Sequence, residues 1–99
     1  MALIEEHWIS GELLRGLAHV RLTSTTFTFS AILMRWVMAK VPITAIREVQ
    51  LDHRFWRDQV IIQYGDSPKA LRTISFSTSQ LEDWGAAFQR LGVKVVARA

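Results

Sequence analysis

Alternating apolar and polar positions run through most of the chain and predict a series of short strands. In 17–23 every second residue is apolar, and 26–30 repeats the pattern with Phe27 and Phe29 on one face. A period of two is typical of a strand with one buried face. The two segments, separated by Ser24 and Thr25, are therefore predicted to form a hairpin.

The same alternation predicts further strands later in the chain, at 47–53, 59–64 and 69–76. Segment 31–41 is ambiguous, because good helix formers are frequent there while its apolar residues run on without defining a helical face. We expect a turn near 33–35 followed by a strand to Val41, with a second helix as the alternative. The inward positions, together with the helix described next, give this predicted core: Val20, Leu22, Phe27, Phe29, Val49, Leu51, Val60, Ile62, Ile74, Phe76, Leu81, Trp84 and Phe88.

One amphipathic helix is predicted near the end of the chain, at 79–91. Its apolar stripe has spacings of three and four and consists of Leu81, Trp84, Phe88 and Leu91. Ser79 and Glu82 have the spacing of a capping box, and Gly92 stands where helices commonly end. Strands followed by a single packing helix indicate that the helix covers the sheet.

The predicted fold class is α+β and mainly β. It is a bent antiparallel sheet, or near-barrel, of about six to seven strands capped by one C-terminal helix. The chain has 99 residues and no linker-like segment, which predicts one domain over 1–99. Within it, 1–9 is an N-terminal arm or strand and 79–91 is the capping helix.

The order of these elements resembles that of bacterial pleckstrin-homology-like and GRAM-like domains. The likeness covers roughly 10–92 and is carried by four pieces: Ser10-Gly11-Glu12-Leu13-Leu14 before the first hairpin, Val20-Arg21-Leu22-Thr23 with Phe27-Thr28-Phe29, the Val41-Pro42-Ile43-Thr44-Ala45-Ile46-Arg47-Glu48-Val49 corner, and the helix that contains Trp84. The resemblance implies the bent, helix-capped sheet and a binding or assembly role without enzymatic activity.

The chain also departs from the lipid-binding members of that superfamily. Those members carry a cluster of Lys and Arg in the first hairpin loop, whereas the turn here is Ser24-Thr25. Many bacterial relatives are joined to membrane segments, and no such segment is visible in this sequence. Phosphoinositide binding is therefore not an expectation that the resemblance carries over.

The chemistry-bearing residues point away from an enzyme. The chain has no cysteine, which removes disulfides, thiolate metal sites and thiol nucleophiles. The spacings of His7, His19 and His53 match no metal-binding motif, and surface or lightly paired histidines are expected. No nucleophile elbow or phosphate-binding glycine loop occurs. We therefore predict no catalytic, cofactor or metal site, no cofactor, and no small-molecule substrate.

Two segments combine large apolar residues with arginine, as protein contact surfaces do. The candidate contact residues are Ile32, Leu33, Met34, Arg35, Trp36, Arg54, Phe55, Trp56 and Arg57. If the strands flanking 32–36 run longer, alternate members belong to the core instead. The aromatic residues of 54–57 can likewise simply cover an end of the sheet.

These observations favour a self-associating interaction module, with a homo-oligomer or another protein as partner. One alternative is a protein that binds single-stranded nucleic acid through arginine and tryptophan, and another is a peripheral membrane module. The net charge of +3 is spread along the sequence without a basic block. No signal peptide or apolar span is visible, so a cytoplasmic location is expected.

Overall fold

Eight strands and one helix make up the described part of the structure, which is a computed structural model covering residues 2–10, 18–31, 37–53, 57–67 and 69–98. The predicted mainly β architecture with one C-terminal helix is confirmed. The sequence predicted six to seven strands in one bent sheet, whereas the described residues form eight strands in two sheets.

The first sheet is an antiparallel meander in which neighbours along the chain are neighbours in space. Its strands are β1 (Ala2–Ile9), β2 (Ala18–Thr23), β3 (Thr26–Ala31) and β4 (Val37–Pro42). The predicted hairpin is confirmed, since Val20 pairs with Phe29 and Leu22 with Phe27. Segment 2–9, which the sequence left open between arm and strand, pairs with β2.

The second sheet has the order β7-β6-β5-β8. Its strands are β5 (Ile46–His53), β6 (Asp58–Tyr64), β7 (Arg72–Thr78) and β8 (Val95–Arg98), and a 3₁₀ turn at Ile43–Ala45 leads into it from β4. Strands β5 to β7 are antiparallel, but β8 runs parallel to β5. The sequence predicted only an extended tail there, because a parallel pairing across the helix has no local signal.

The helix α1 (Leu81–Arg90) covers the core between the sheets. Trp84 and Phe88 are fully buried, as the apolar stripe predicted, and Leu81 and Leu91 are partly buried against the same core. No helix among the described residues is both long enough and apolar enough to cross a membrane.

The two ends of α1 fit the sequence prediction unequally. The predicted capping box is wrong: the N-cap residue is Gln80, no side chain caps it, and the Gln80 N–H instead donates to Thr78 Oγ1 at 2.8 Å. The predicted stop at Gly92 is confirmed. Gly92 has a φ of 77°, and the next N–H, that of Val93, donates to the Phe88 carbonyl at 3.2 Å.

The two sheets meet at a corner formed by β1 and β7. The Ser77 N–H on β7 donates to the carbonyl of Ser10, just after β1, at 2.9 Å. Four aromatic rings fill the space behind this corner, with centroids 5.0 to 6.2 Å apart between neighbours: Phe27, Phe76, Trp84 and Phe88. Because β1 and β7 are edge strands, one edge of each sheet contacts the other sheet at this corner.

Candidate functional site

The predicted contact residues fall almost entirely outside the described part of the chain. This applies to Ile32, Leu33, Met34, Arg35, Trp36, Arg54, Phe55 and Trp56, and with them to the expected turn near 33–35. Arg57 is described and is exposed immediately before β6. It borders an open groove of about 390 Å³ whose other lining residues include Ser10 and 77–79. The contact role of 32–36 and 54–57 therefore stays a prediction.

A buried carboxylate joins β1 to α1. Glu6 is 8% exposed, and its Oε2 accepts hydrogen bonds from the Trp84 indole N–H at 2.6 Å and from the Thr78 hydroxyl. A carboxylate can be buried when charged or polar donors surround it. Glu6 occupies an inward position of β1, a segment to which the sequence interpretation assigned no register, so its burial was not predicted.

A second group of polar and charged residues lies on the opposite, outer face of the first sheet. Glu5 and His7 alternate along β1, and His19 and Arg21 alternate along β2, so that all four side chains share one face. We call these four residues the outer-face cluster. Oε1 of Glu5 lies 3.6 Å from Nε2 of His7 and 3.5 Å from Nε2 of His19, and the other carboxylate oxygen lies 3.3 Å from Arg21 Nε.

The two imidazoles of the cluster are stacked. The ring centroids of His7 and His19 are 4.1 Å apart, and the ring planes differ by 5°. Nε2 of His19 is buried and makes no hydrogen bond among the described residues, although it lies 3.5 Å from Oε1 of Glu5. Burial of the ring, followed by the nearby His7 and opposed by Glu5, lowers the pKa of His19 below its usual value. His19 is thereby favoured in its neutral form.

The sequence interpretation missed the cluster because it treated the histidines one at a time. His7 and His19 are twelve positions apart, a spacing that matches no local motif. The alternations Glu5-x-His7 and His19-x-Arg21 were visible, but only the antiparallel pairing of β1 with β2 brings them together. His53, the third histidine, does not belong to the cluster; it lies at the end of β5, in the second sheet, and contacts Asp58.

Each sheet also has an edge strand that does not take part in the corner. The β1 and β7 edges meet at the corner, so β4 and β8 are the outermost strands on the far side of their sheets within the described ranges. Strand β4 carries the exposed Lys40 and ends at Pro42, two residue types that discourage strand addition. Strand β8 carries Val96, which is exposed, and the exposed Ala97.

The geometry defines a mainly β domain with two sheets, one helix, an apolar edge strand and a polar outer-face cluster. No protein-family model matches the chain, and no curated protein matches it either.

Proposed function

We propose that this protein is a non-enzymatic interaction module of pleckstrin-homology-like type that associates with a second copy of itself. The fold type is supported by the order of parts: a four-stranded meander, a three-stranded meander and then a helix that covers the core. The β1–β7 corner, where Ser77 donates to Ser10, brings the two sheets together as a strongly bent sheet would. Strand β8 is an addition to that pattern.

The observation that carries the proposal is the apolar, unprotected edge of β8. An edge strand presents a row of unpaired N–H and C=O groups, and proteins usually blunt such an edge with charge, proline or a covering element. The β4 edge has such protection in Lys40 and Pro42, whereas among the described residues no charged side chain of β8 before Arg98, no proline and no covering element protects the β8 edge. Strand addition is therefore favoured at β8.

The backbone direction of β8 identifies the groups that a partner would use. The Val49 N–H donates to the Lys94 carbonyl at 2.8 Å, and Val49 is the Cα partner of Val95. Because successive residues of a strand direct their backbone groups to opposite sides, Val96 faces β5. Val95 and Ala97 then direct their N–H and C=O groups to the open edge.

The proposed occupant is a second copy in antiparallel orientation, related by a two-fold axis. A two-fold interface uses the same patch on both subunits, so a single exposed edge is sufficient to build it. Pairing of β8 with its copy would join two four-stranded sheets into one continuous sheet and would cover Val96, which is 36% exposed in the single chain. Main-chain hydrogen bonds would supply most of the affinity, as in other strand-addition interfaces.

The experiment is size-exclusion chromatography with light scattering across a wide concentration range, on the wild type and two proline variants. Ala97→Pro removes an N–H that faces the open edge, and we expect it to give a monomer whose thermal midpoint equals that of the wild type at dilutions where the wild type is also monomeric. Val96→Pro is the matched control. It removes an N–H that faces β5, so it should lower the thermal midpoint. A wild type that is monomeric at every concentration, or an Ala97→Pro variant that associates as the wild type does, would overturn the proposal.

A further inference from the structure

The outer-face cluster has a donor set that the proposed self-association does not use. Glu5, His7 and His19 offer one carboxylate oxygen and two imidazole nitrogens, and these three atoms all lie within 4.8 Å of one another. The residues belong to β1 and β2, whereas the proposed contact uses β8. The cluster is therefore independent of that interface.

We propose that Glu5 Oε1, His7 Nε2 and His19 Nε2 form a binding site for one divalent transition-metal ion of the zinc type. Two imidazoles with one carboxylate suit zinc, copper, nickel and iron, whereas magnesium and calcium prefer oxygen ligands alone. Catalytic zinc sites with two histidines and one glutamate use the same three donor types and leave a further position for water. His7 is well exposed here, so the remaining positions open to solvent.

The distances fit such an ion. With metal–ligand bonds of about 2.0 to 2.1 Å, two donors of a tetrahedral site stand roughly 3.3 Å apart. The Glu5 oxygen lies 3.6 Å from the His7 nitrogen and 3.5 Å from the His19 nitrogen. Contractions of a few tenths of an ångström bring both pairs to the tetrahedral spacing. The backbone pairing of β1 with β2 therefore already sets the donors near their positions.

The side chains have room to complete the geometry. Stacked rings at 4.1 Å hold their nitrogens side by side, so the rings must tilt apart for both lone pairs to converge on one ion. Rotation about χ2 of a histidine is soft, and the exposed His7 is free to make it. Replacing the ring stack by two metal bonds is favourable because the stack contributes only on the order of 1 kcal/mol.

The partners around the donors support binding as well. The buried Nε2 of His19 has no hydrogen bond among the described residues, so the tautomer with its proton on Nδ1 would offer the Nε2 lone pair to an ion. Arg21 contacts the second oxygen of Glu5 at 3.3 Å and so holds the carboxylate with Oε1 toward the histidines. Outer partners of this kind orient metal ligands. The positive charge of Arg21 opposes a cation, but the guanidinium contacts the oxygen that faces away from the ion.

The test is a competition titration of the full chain, free of any histidine tag, with Zn²⁺ against a chromophoric chelator. His7→Ala and His19→Ala each remove one ligand, and Glu5→Gln removes the carboxylate charge. His53→Ala is the matched control, because it removes a histidine that contacts Asp58 and lies outside the cluster. Thermal melts without metal establish that each variant folds.

We expect one equivalent of Zn²⁺ on the wild type and on His53→Ala, with affinity reduced about tenfold or more in the three cluster variants. Loss of an outer partner alone already costs roughly 10–100-fold, and loss of a ligand should cost at least that. Co²⁺ should give the intense visible absorption of a low-coordinate site in the wild type, and this absorption should be absent in His19→Ala. Equal affinity in the wild type and His19→Ala, or a site lost in His53→Ala, would overturn the proposal. These outcomes are read separately from the oligomeric state, so either proposal can fail alone.

Discussion

The indole N–H of Trp84 donates to the carboxylate of Glu6 across 2.6 Å, with both residues buried. The two residues are 78 positions apart in the sequence, and their contact joins the first strand, β1, to the α-helix α1. Thr78, at the end of β7, donates to the same oxygen. Glu6 thus joins three elements at the point where the sheets meet.

This contact predicts strong coupling between Glu6 and Trp84. Trp84→Phe shortens the ring and takes one donor from a buried carboxylate, so we expect it to lower the free energy of unfolding by about 2–4 kcal/mol. Glu6→Leu alone should also destabilise, because two donors lose their acceptor. The double variant should be less damaging than the sum by about 1 kcal/mol or more. Urea unfolding of the wild type, the two single variants and the double variant measures this coupling energy. Additive losses of unfolding free energy would show that Glu6 and Trp84 do not stabilise the fold through this contact.

Phe27 is the ring that the other three aromatics of the core share. It is fully buried, and its centroid lies 5.9 Å from that of Phe76 and 6.2 Å from those of Trp84 and Phe88. We expect Phe27→Leu to lower the free energy of unfolding by about 1–2 kcal/mol and to weaken the near-ultraviolet circular dichroism of the aromatic cluster. Thr28→Ala, at the next position on the opposite face, should change the stability by no more than about 0.5 kcal/mol. Similar losses in the two variants would contradict this account of the core.

Gly92 isolates the cost of a backbone conformation. Its φ is 77°, and a Cβ added there would meet no atom within 4 Å, so a substitution is strained by the backbone alone. We expect Gly92→Ala to lower the free energy of unfolding by about 1 kcal/mol. Gly92→Asn should cost less, because asparagine adopts left-handed conformations more readily. Chemical unfolding of the pair tests this, and an asparagine variant less stable than the alanine variant would argue against it.

The interactions of Glu48, where β5 lies beside β8, lead us to expect that the stability of the fold depends on pH. Its carboxylate accepts a hydrogen bond from Gln50 Nε2 at 2.9 Å and lies 3.3 Å from Lys94 Nζ. The Gln50 hydrogen bond, followed by the Lys94 contact, lowers the pKa of Glu48 below its usual value. A carboxyl whose pKa is lower in the folded state contributes stability above its unfolded pKa, and this stability is lost as the pH falls through the folded pKa.

We therefore expect the wild type to be more stable than Glu48→Gln at neutral pH and the difference to shrink on acidification. The decline should begin near the ordinary glutamate pKa, at about pH 4.3, and continue below it. Lys94→Met should reduce the difference at neutral pH, because it removes one of the two partners. Urea unfolding midpoints of the wild type and Glu48→Gln, measured across this pH range, test the prediction. A stability difference that does not change with pH would show that the ionised Glu48 carboxylate does not stabilise the fold.

The strands that could be predicted are those whose burial is one-sided. Phe27 and Phe29 alternate with threonine and serine, and Trp84 and Phe88 recur at helical spacing, so a local period reveals the buried face. Val49 followed the same rule and is fully buried, whereas Leu51 is only partly buried, beside Gly85 of α1. On β5 the alternation breaks at the next residue, Asp52, which is buried.

The features that could not be predicted depend on contacts between distant segments. The role of Glu6 depends on the register of β1, which shifts between Glu6 and Ile9. The His7–His19 stack depends on the same pairing. The helix start moved from the predicted Ser79 to Leu81 because β7 continues to Thr78, and Thr78 provides the oxygen for the Gln80 N–H. None of these has a signature within a window of a few residues.

The parallel pairing of β8 with β5 has a consequence for the order of folding. Val49 and Val95 are separated by nearly half the chain, so their pairing must close a long loop that contains β6, β7 and α1. Strand β8 should therefore join last and detach first. Amide hydrogen exchange at Val49, whose N–H is bonded to Lys94, would report that detachment as a local opening of lower free energy than global unfolding. Each such opening leaves β5 uncovered, which gives the second copy an alternative route to association by exchange of this strand.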